Sequence, residues 1–148
     1  MLIISPSFED GGFIPTKFSG DGGDINPELQ IQNVPASAAS LALIVHDPDA
    51  PMLGGFYHWL VWNIDPRTVL IKEESTPQGA VEGAGSAGNV GYVGPKPPHG
   101  TTHHYHFKLY ALDEELSLAP GAAIKDLMAS MDGHTVATAE LVGLYKRA

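Results

Sequence analysis

The sequence predicts a mainly β protein: a sandwich of two antiparallel sheets with one short helix in its C-terminal half. Three observations point to it. Short apolar runs recur along the chain, β-branched or aromatic at several positions and bounded by Gly, Pro, Asn or Asp. Gly (17) and Pro (12) are frequent and spread throughout, so turns are frequent, yet hydrophobic residues still make up 43% of the chain. Helical spacing stands out at one place, late in the sequence. Many strands plus one late helix favour a sandwich with helical trim.

The runs that read as strands are Gly12–Phe18, Glu28–Val34, Ser40–Asp47, His58–Ile64, His103–Leu112 and Val136–Tyr145. The helix is Ile124–Met131, where Ile124, Leu127, Met128 and Met131 recur at helical spacing and Gly133 sits where a C-terminal cap is wanted. The 148 residues fit a single domain over 1–148. A domain of that size buries about 70% of the surface its unfolded chain exposes, so it folds without staples. Residues 73–102 show no periodicity. Within them, Glu73–Gly88 reads as plain loop. Gly91–Gly100, GYVGPKPPHG, sets three prolines among three glycines and reads as a rigid, shaped loop whose amides could face a ligand.

Charge and composition exclude several function classes. The formal net charge is −9, with 3 basic and 10 acidic side chains in residues 1–74 and 5 and 7 in residues 75–148. Nucleic-acid binding requires a basic footprint, which this chain lacks. Anionic membrane surfaces would repel it, and no apolar run is long enough for stable insertion. Any bound anion must be held by a local site against the field of the whole molecule. Cysteine is absent, which removes disulfides and thiol chemistry and is neutral on compartment. The start, MLIISPSFEDGG, reads as no signal peptide, so a cytoplasmic location is expected.

Three segments concentrate reactive side chains. VHDPDAP (Val45–Pro51) ends a strand in an acidic turn. Taken alone, it reads as turn chemistry. FYHWLVWN (Phe56–Asn63) carries His58, and strand alternation puts His58, Leu60, Trp62 and Ile64 on one face. THHYHFKLYAL (Thr102–Leu112) separates its histidines by the same alternation. His103, Tyr105, Phe107 and Leu109 lie on the apolar, inward face, whereas His104, His106 and Lys108 lie on the outward one. His104-x-His106 could serve zinc, but no third ligand is identifiable beside it. Histidine with aspartate and a Pro-Gly loop suits an anion better than a cation. A hydrolase is the weaker enzyme reading: no G-x-S-x-G motif is present, and no convincing nucleophile stands among Ser5, Ser7, Ser37 and Ser86.

Taken together and in order, DPDAP (Asp47–Pro51), HW (His58–Trp59) and GPKPPHGTTHHYHF (Gly94–Phe107) resemble the phosphatidylethanolamine-binding protein family, also called Raf kinase inhibitor proteins, and its prokaryotic subgroup most closely. The resemblance runs through SPSFEDGGFIPTKFSGDGGDINPELQ near the start to MDGHTVATAELVGLYKR near the end. It implies two packed antiparallel sheets and a shallow anion pocket at one end. The implied pocket residues are Asp47, His58, His103 and Tyr105, rimmed by Gly94–Gly100 with Gly94, Lys96 and Pro98. Asp49 matches a second motif aspartate, given a turn-shaping role first. The resemblance also suggests a cis Ala50–Pro51 bond. Two departures matter: His104 stands where the family usually has arginine, and Lys96 where close prokaryotic relatives often carry cysteine.

The expected function is a binding module without a catalytic cycle, cofactor or metal. Its partner would be a small anionic or phosphorylated ligand, with phosphate-like or carboxylate chemistry. The alternative is a protein inhibitor of a kinase or serine protease, acting through the pocket rim or a surface loop. A homodimer is left open.

Overall fold

The computed structural model describes all 148 residues. Its strands are β1 (Leu2–Ile4), β2 (Leu29–Gln32), β3 (Ser40–Asp47), β4 (Phe56–Ile64), β5 (Leu70–Ile71), β6 (Val81–Glu82), β7 (Thr102–Leu112) and β8 (Thr135–Lys146). The one α-helix is α1 (Ile124–Met131). Two antiparallel sheets result. One has the order β1-β2-β5, the other β6-β4-β3-β7-β8. The architecture is the expected mainly β sandwich with one late helix.

The centre of the larger sheet is buried on both faces, which explains why β3 reads SLALIVHD with hardly a polar break. Leu41, Leu43 and Val45 pack with Trp59, Val61, Phe107 and Leu109 in the core that also holds Ile3, Leu29, Ile31 and Ile71 from the smaller sheet. Ala42 and Ile44 face the opposite way. They join Leu60, Trp62, Leu112, Leu127 and Met131 in a second core beneath α1. The helix buries Leu127 and Met131 but leaves Met128 half exposed, so its apolar stripe is narrower than the spacing implies. Gly133, at φ 80°, takes the left-handed conformation that ends the helix.

The run Gly12–Phe18 is not a strand. Phe13 makes a single bridge to Leu144, and residues 16–18 close into a 3₁₀ turn after Pro15. Pro15 has no N–H to give a ladder, and the segment instead covers the outer edge of β8 through Gly11, Gly12 and Ile14.

Glu73–Gly88 is more than plain loop. It contributes β6, which pairs with β4, and Glu82 Oε2 accepts a 2.7 Å hydrogen bond from the Trp59 indole N–H. Gly83 then passes so close to its neighbours that a Cβ there would lie 2.5 Å from the Ala122 carbonyl oxygen and 2.7 Å from the Trp62 ring. Neither a backbone carbonyl nor a buried indole can move aside cheaply. Gly83→Ala should therefore destabilise the fold by about 1–3 kcal/mol, the usual cost of overpacking, measured by chemical denaturation. An unchanged midpoint would contradict this packing.

Candidate functional site

The end of β3 and the start of β7 meet at Asp47 and His103, both buried. The His103 Nδ1–H donates to Asp47 Oδ2 at 2.6 Å. Asp47 Oδ1 accepts the backbone N–H of Asp49 at 2.9 Å, so the same carboxylate also shapes the turn that follows β3. Both oxygens are thus committed. His103 has its other ring nitrogen, Nε2, left over.

His58 reaches this place by a β-bulge. On β4, Trp59 pairs with Val45 while Tyr57 pairs with His46, leaving His58 as the extra residue. Plain alternation would put it with Leu60 and Trp62, which face α1. The bulge turns it to the opposite side, where it lines a cavity with Asp47, His103 and Tyr105. The single face expected for His58, Leu60, Trp62 and Ile64 is therefore split; Ile64 also lies on the inter-sheet side, after a second register shift. The His58 Nδ1–H donates to the Val93 carbonyl at 2.6 Å, which fixes the ring and leaves Nε2 free. The ring edge meets Tyr105 at a centroid distance of 5.1 Å.

Every fully buried side-chain polar atom has a hydrogen-bond partner. The Nε2 atoms of His58 and His103 have none in the protein, so both open toward the cavity. Burial pushes His58 below the ordinary imidazole value. The Val93 carbonyl and the charge of Asp47 pull the other way without compensating. His58 is therefore neutral at pH 7, and its Nε2 offers a lone pair. The Tyr105 phenol is pushed well above its ordinary value, by burial first and then by the charges of Asp47 and Asp49, so it stays a donor.

The cavity has a volume of about 260 Å³, and all seven residues expected at the pocket lie on its lining: Asp47, His58, His103, Tyr105, Gly94, Lys96 and Pro98. Ala50, Pro51, Met52, Phe56, Val93 and Pro97 line it as well. Ala50, Pro51 and Pro97 lie inside the recognised motifs, and Met52, Phe56 and Val93 lie just outside them. The first three could have been taken with the motifs, but Val93 carries no chemical signal of its own.

The rim loop does not offer a row of amides. The Gly94 N–H is spent on Asp24 Oδ1 at 2.6 Å. Val93, Gly100 and Thr101 donate to backbone carbonyls, and three prolines have no N–H at all. The loop contributes shape and one charge instead. Gly94 has to be glycine because a Cβ would lie 2.4 Å from the Phe18 carbonyl oxygen. Lys96 is exposed, with its stem across Gly20, and forms no ion pair.

His104 and His106 point outward as expected, but each has a carboxylate. His104 Nδ1 lies 2.7 Å from Asp49 Oδ2, and His106 Nδ1 lies 3.1 Å from Glu140 Oε1. The Ala50–Pro51 bond is trans, contrary to the expected cis bond. The turn is closed by the Asp49 hydrogen bonds and by Met52 N–H to the Ala50 carbonyl at 2.8 Å. No group of three or more His, Asp or Glu side chains is placed to hold a metal ion. No helix is long and apolar enough to cross a membrane.

Fold and cavity together define a two-sheet sandwich with a ligand-sized His/Asp recess at one end. Comparison with known proteins gives the family. The model for "Phosphatidylethanolamine-binding protein" matches residues 4–146. A UPF0098 protein of Pyrococcus horikoshii is 46% identical over 153 residues, covering 99% of this chain and 77% of the relative. Among solved structures, the phosphatidylethanolamine-binding protein homolog CT736 of Chlamydia trachomatis superposes with a TM-score of 0.93 at 41% identity, covering 99% of this chain and 97% of its own. YbcL of E. coli, described as a member of the mammalian PEBP family, gives 0.93 at 30% identity, covering 99% and 98%. The chain belongs to the phosphatidylethanolamine-binding protein family.

The low-lying His58 carries a pH consequence. In the unfolded chain its imidazole takes up a proton near pH ~6.5, whereas in the fold it resists. The stability it supports is present above that unfolded value and is lost as pH falls from there through the depressed folded value. His58→Gln should flatten this part of the stability–pH profile, read from denaturation midpoints at successive pH values. An equal acid slope in the variant would show that His58 is not its source.

Proposed function

We propose that the cavity captures a small phosphate-type anion and that the protein is a binding module. The observation that supports this is the pair of unpartnered imidazole Nε2 atoms, from His58 and His103, opening into one recess with the unpaired Lys96 at its rim. In a chain of net charge −9, such a local concentration of histidine and lysine is where an anion can be held. The roles divide by protonation. With Nδ1 bonded to Asp47, His103 turns Nε2 to the ligand and, in its charged form, donates from it to a phosphoryl oxygen. Tyr105 offers a phenolic O–H. Neutral His58 accepts, and so favours a ligand that still carries a P–OH hydrogen. The family name, which specifies a phospholipid, supports a phosphoryl group as the anion. No serine, threonine or cysteine lines the recess, which supports binding over acyl transfer.

The second reading is a protein inhibitor of a kinase or serine protease acting through the rim. The feature that favours it is the loop after β3, where Leu53 is fully exposed and Met52 half exposed beside the recess. An inhibition assay against kinase and protease panels separates the two readings.

The direct test is calorimetric titration with inorganic phosphate. His103→Gln removes the cavity-facing nitrogen while keeping a donor for Asp47. It should weaken binding by about tenfold or more, the worth of one charge-assisted hydrogen bond. Affinity in the wild type should fall as pH rises, because the phosphate then loses the P–OH hydrogen that neutral His58 accepts. Equal affinity in the variant, or no pH dependence, would remove the anion pocket.

A further inference from the structure

The wall of the recess formed by Ala50, Pro51 and Met52 belongs to the loop between β3 and β4. No hydrogen bond joins residues 50–53 to anything outside that loop; Met52 N–H bonds Ala50, and Gly55 N–H bonds Met52. The loop is pinned only near its two ends, and each pin is a histidine. At the far end, His46 Nε2–H donates to the Gly54 carbonyl at 2.7 Å, with the His46 ring stacked on Tyr57. At the near end, Asp49 Oδ2 accepts both the backbone N–H of His104 at 2.8 Å and its Nδ1–H at 2.7 Å. Asp49 in turn donates its own N–H to Asp47, the carboxylate that holds His103. The loop and the recess therefore share one chain of contacts: His104, Asp49, Asp47, His103.

We propose that His104 is a positioning residue whose side chain clamps Asp49 and holds the Ala50–Met52 wall in place. As a statement about the recess, this rests on the anion-binding reading above. As a statement about the loop, it stands alone. The charged and titratable groups around the ring are few. Asp49 faces it from the loop. On its own strand His106 follows two residues later, already paired with Glu140. From β3 comes His46, opposite His106. From β8 comes Lys146, opposite the neighbouring Thr102, while the residue directly opposite His104 is Leu144. Asp49 is thus the one carboxylate bonded to His104. Its own value is held low chiefly by the His104 hydrogen bond. The pair is half exposed, so its effect on affinity is that of a surface ion pair, up to about fivefold.

The test compares wild type, His104→Ala and His104→Arg without ligand, by backbone ¹⁵N relaxation of Ala50, Met52 and Leu53. The loop should be ordered in the wild type and gain motion in the alanine variant, which leaves Asp49 only the backbone N–H of residue 104. The arginine variant, whose guanidinium can take the Asp49 carboxylate, should restore the order. Equal loop order in the alanine variant, or no recovery in the arginine variant, would overturn the clamp. A parallel inorganic phosphate titration keeps the two readings apart. If the loop responds as described but phosphate does not bind, the clamp stands and the anion pocket falls. If phosphate binds and the loop does not respond, the reverse holds.

Discussion

The site depends on one buried contact, the 2.6 Å hydrogen bond between Asp47 and His103. It joins the last residue of β3 to the second residue of β7 and closes the end of the sheet where those strands run side by side. A buried carboxylate left without a partner costs several kcal/mol, so the two side chains constrain each other strongly. The consequence reaches both ways along the chain. Asp47 uses its second oxygen to shape the turn that starts the β3–β4 loop, and His103 is left with a single ring nitrogen to offer outward. What the recess can bind is set by which atoms this contact leaves unused.

The second histidine is governed by a different force. His58 is tied to a carbonyl rather than to a carboxylate, and burial outweighs the nearby charge. Two histidines that look equivalent in composition therefore differ in kind, one supported by a partner charge and one kept neutral by its surroundings. A recess built this way carries both donors and an acceptor, which is more selective than a ring of positive charges.

Much of this was legible in the amino-acid sequence. β3 and α1 have the boundaries that apolar continuity and helical spacing implied, because both patterns run uninterrupted from one breaker to the next. Asp47, His103 and Tyr105 followed from strand alternation combined with the family motifs. What was not legible was set by tertiary contacts. Gly12–Phe18 has strand-like composition, but its backbone is spent covering the edge of β8. β1, β5 and β6 are two or three residues long, too short to show a period. The rim amides looked available until their acceptors, Asp24 among them, were brought alongside by folding. The bulge at His58 has no local signature, since Phe56, Tyr57 and His58 are all reasonable strand residues.

That bulge places a requirement on the chain that is one of number rather than identity. Because side chains alternate, the residues between Gly55 and Trp59 decide by their count which way His58 points. Many side chains could occupy positions 56 and 57 and still deliver the imidazole to the recess. A segment one residue shorter or longer would send it toward the helix while leaving the composition of the strand almost unaltered. Substitution and indel tolerance should therefore part company here: a stretch permissive to changes of residue is intolerant to changes of length.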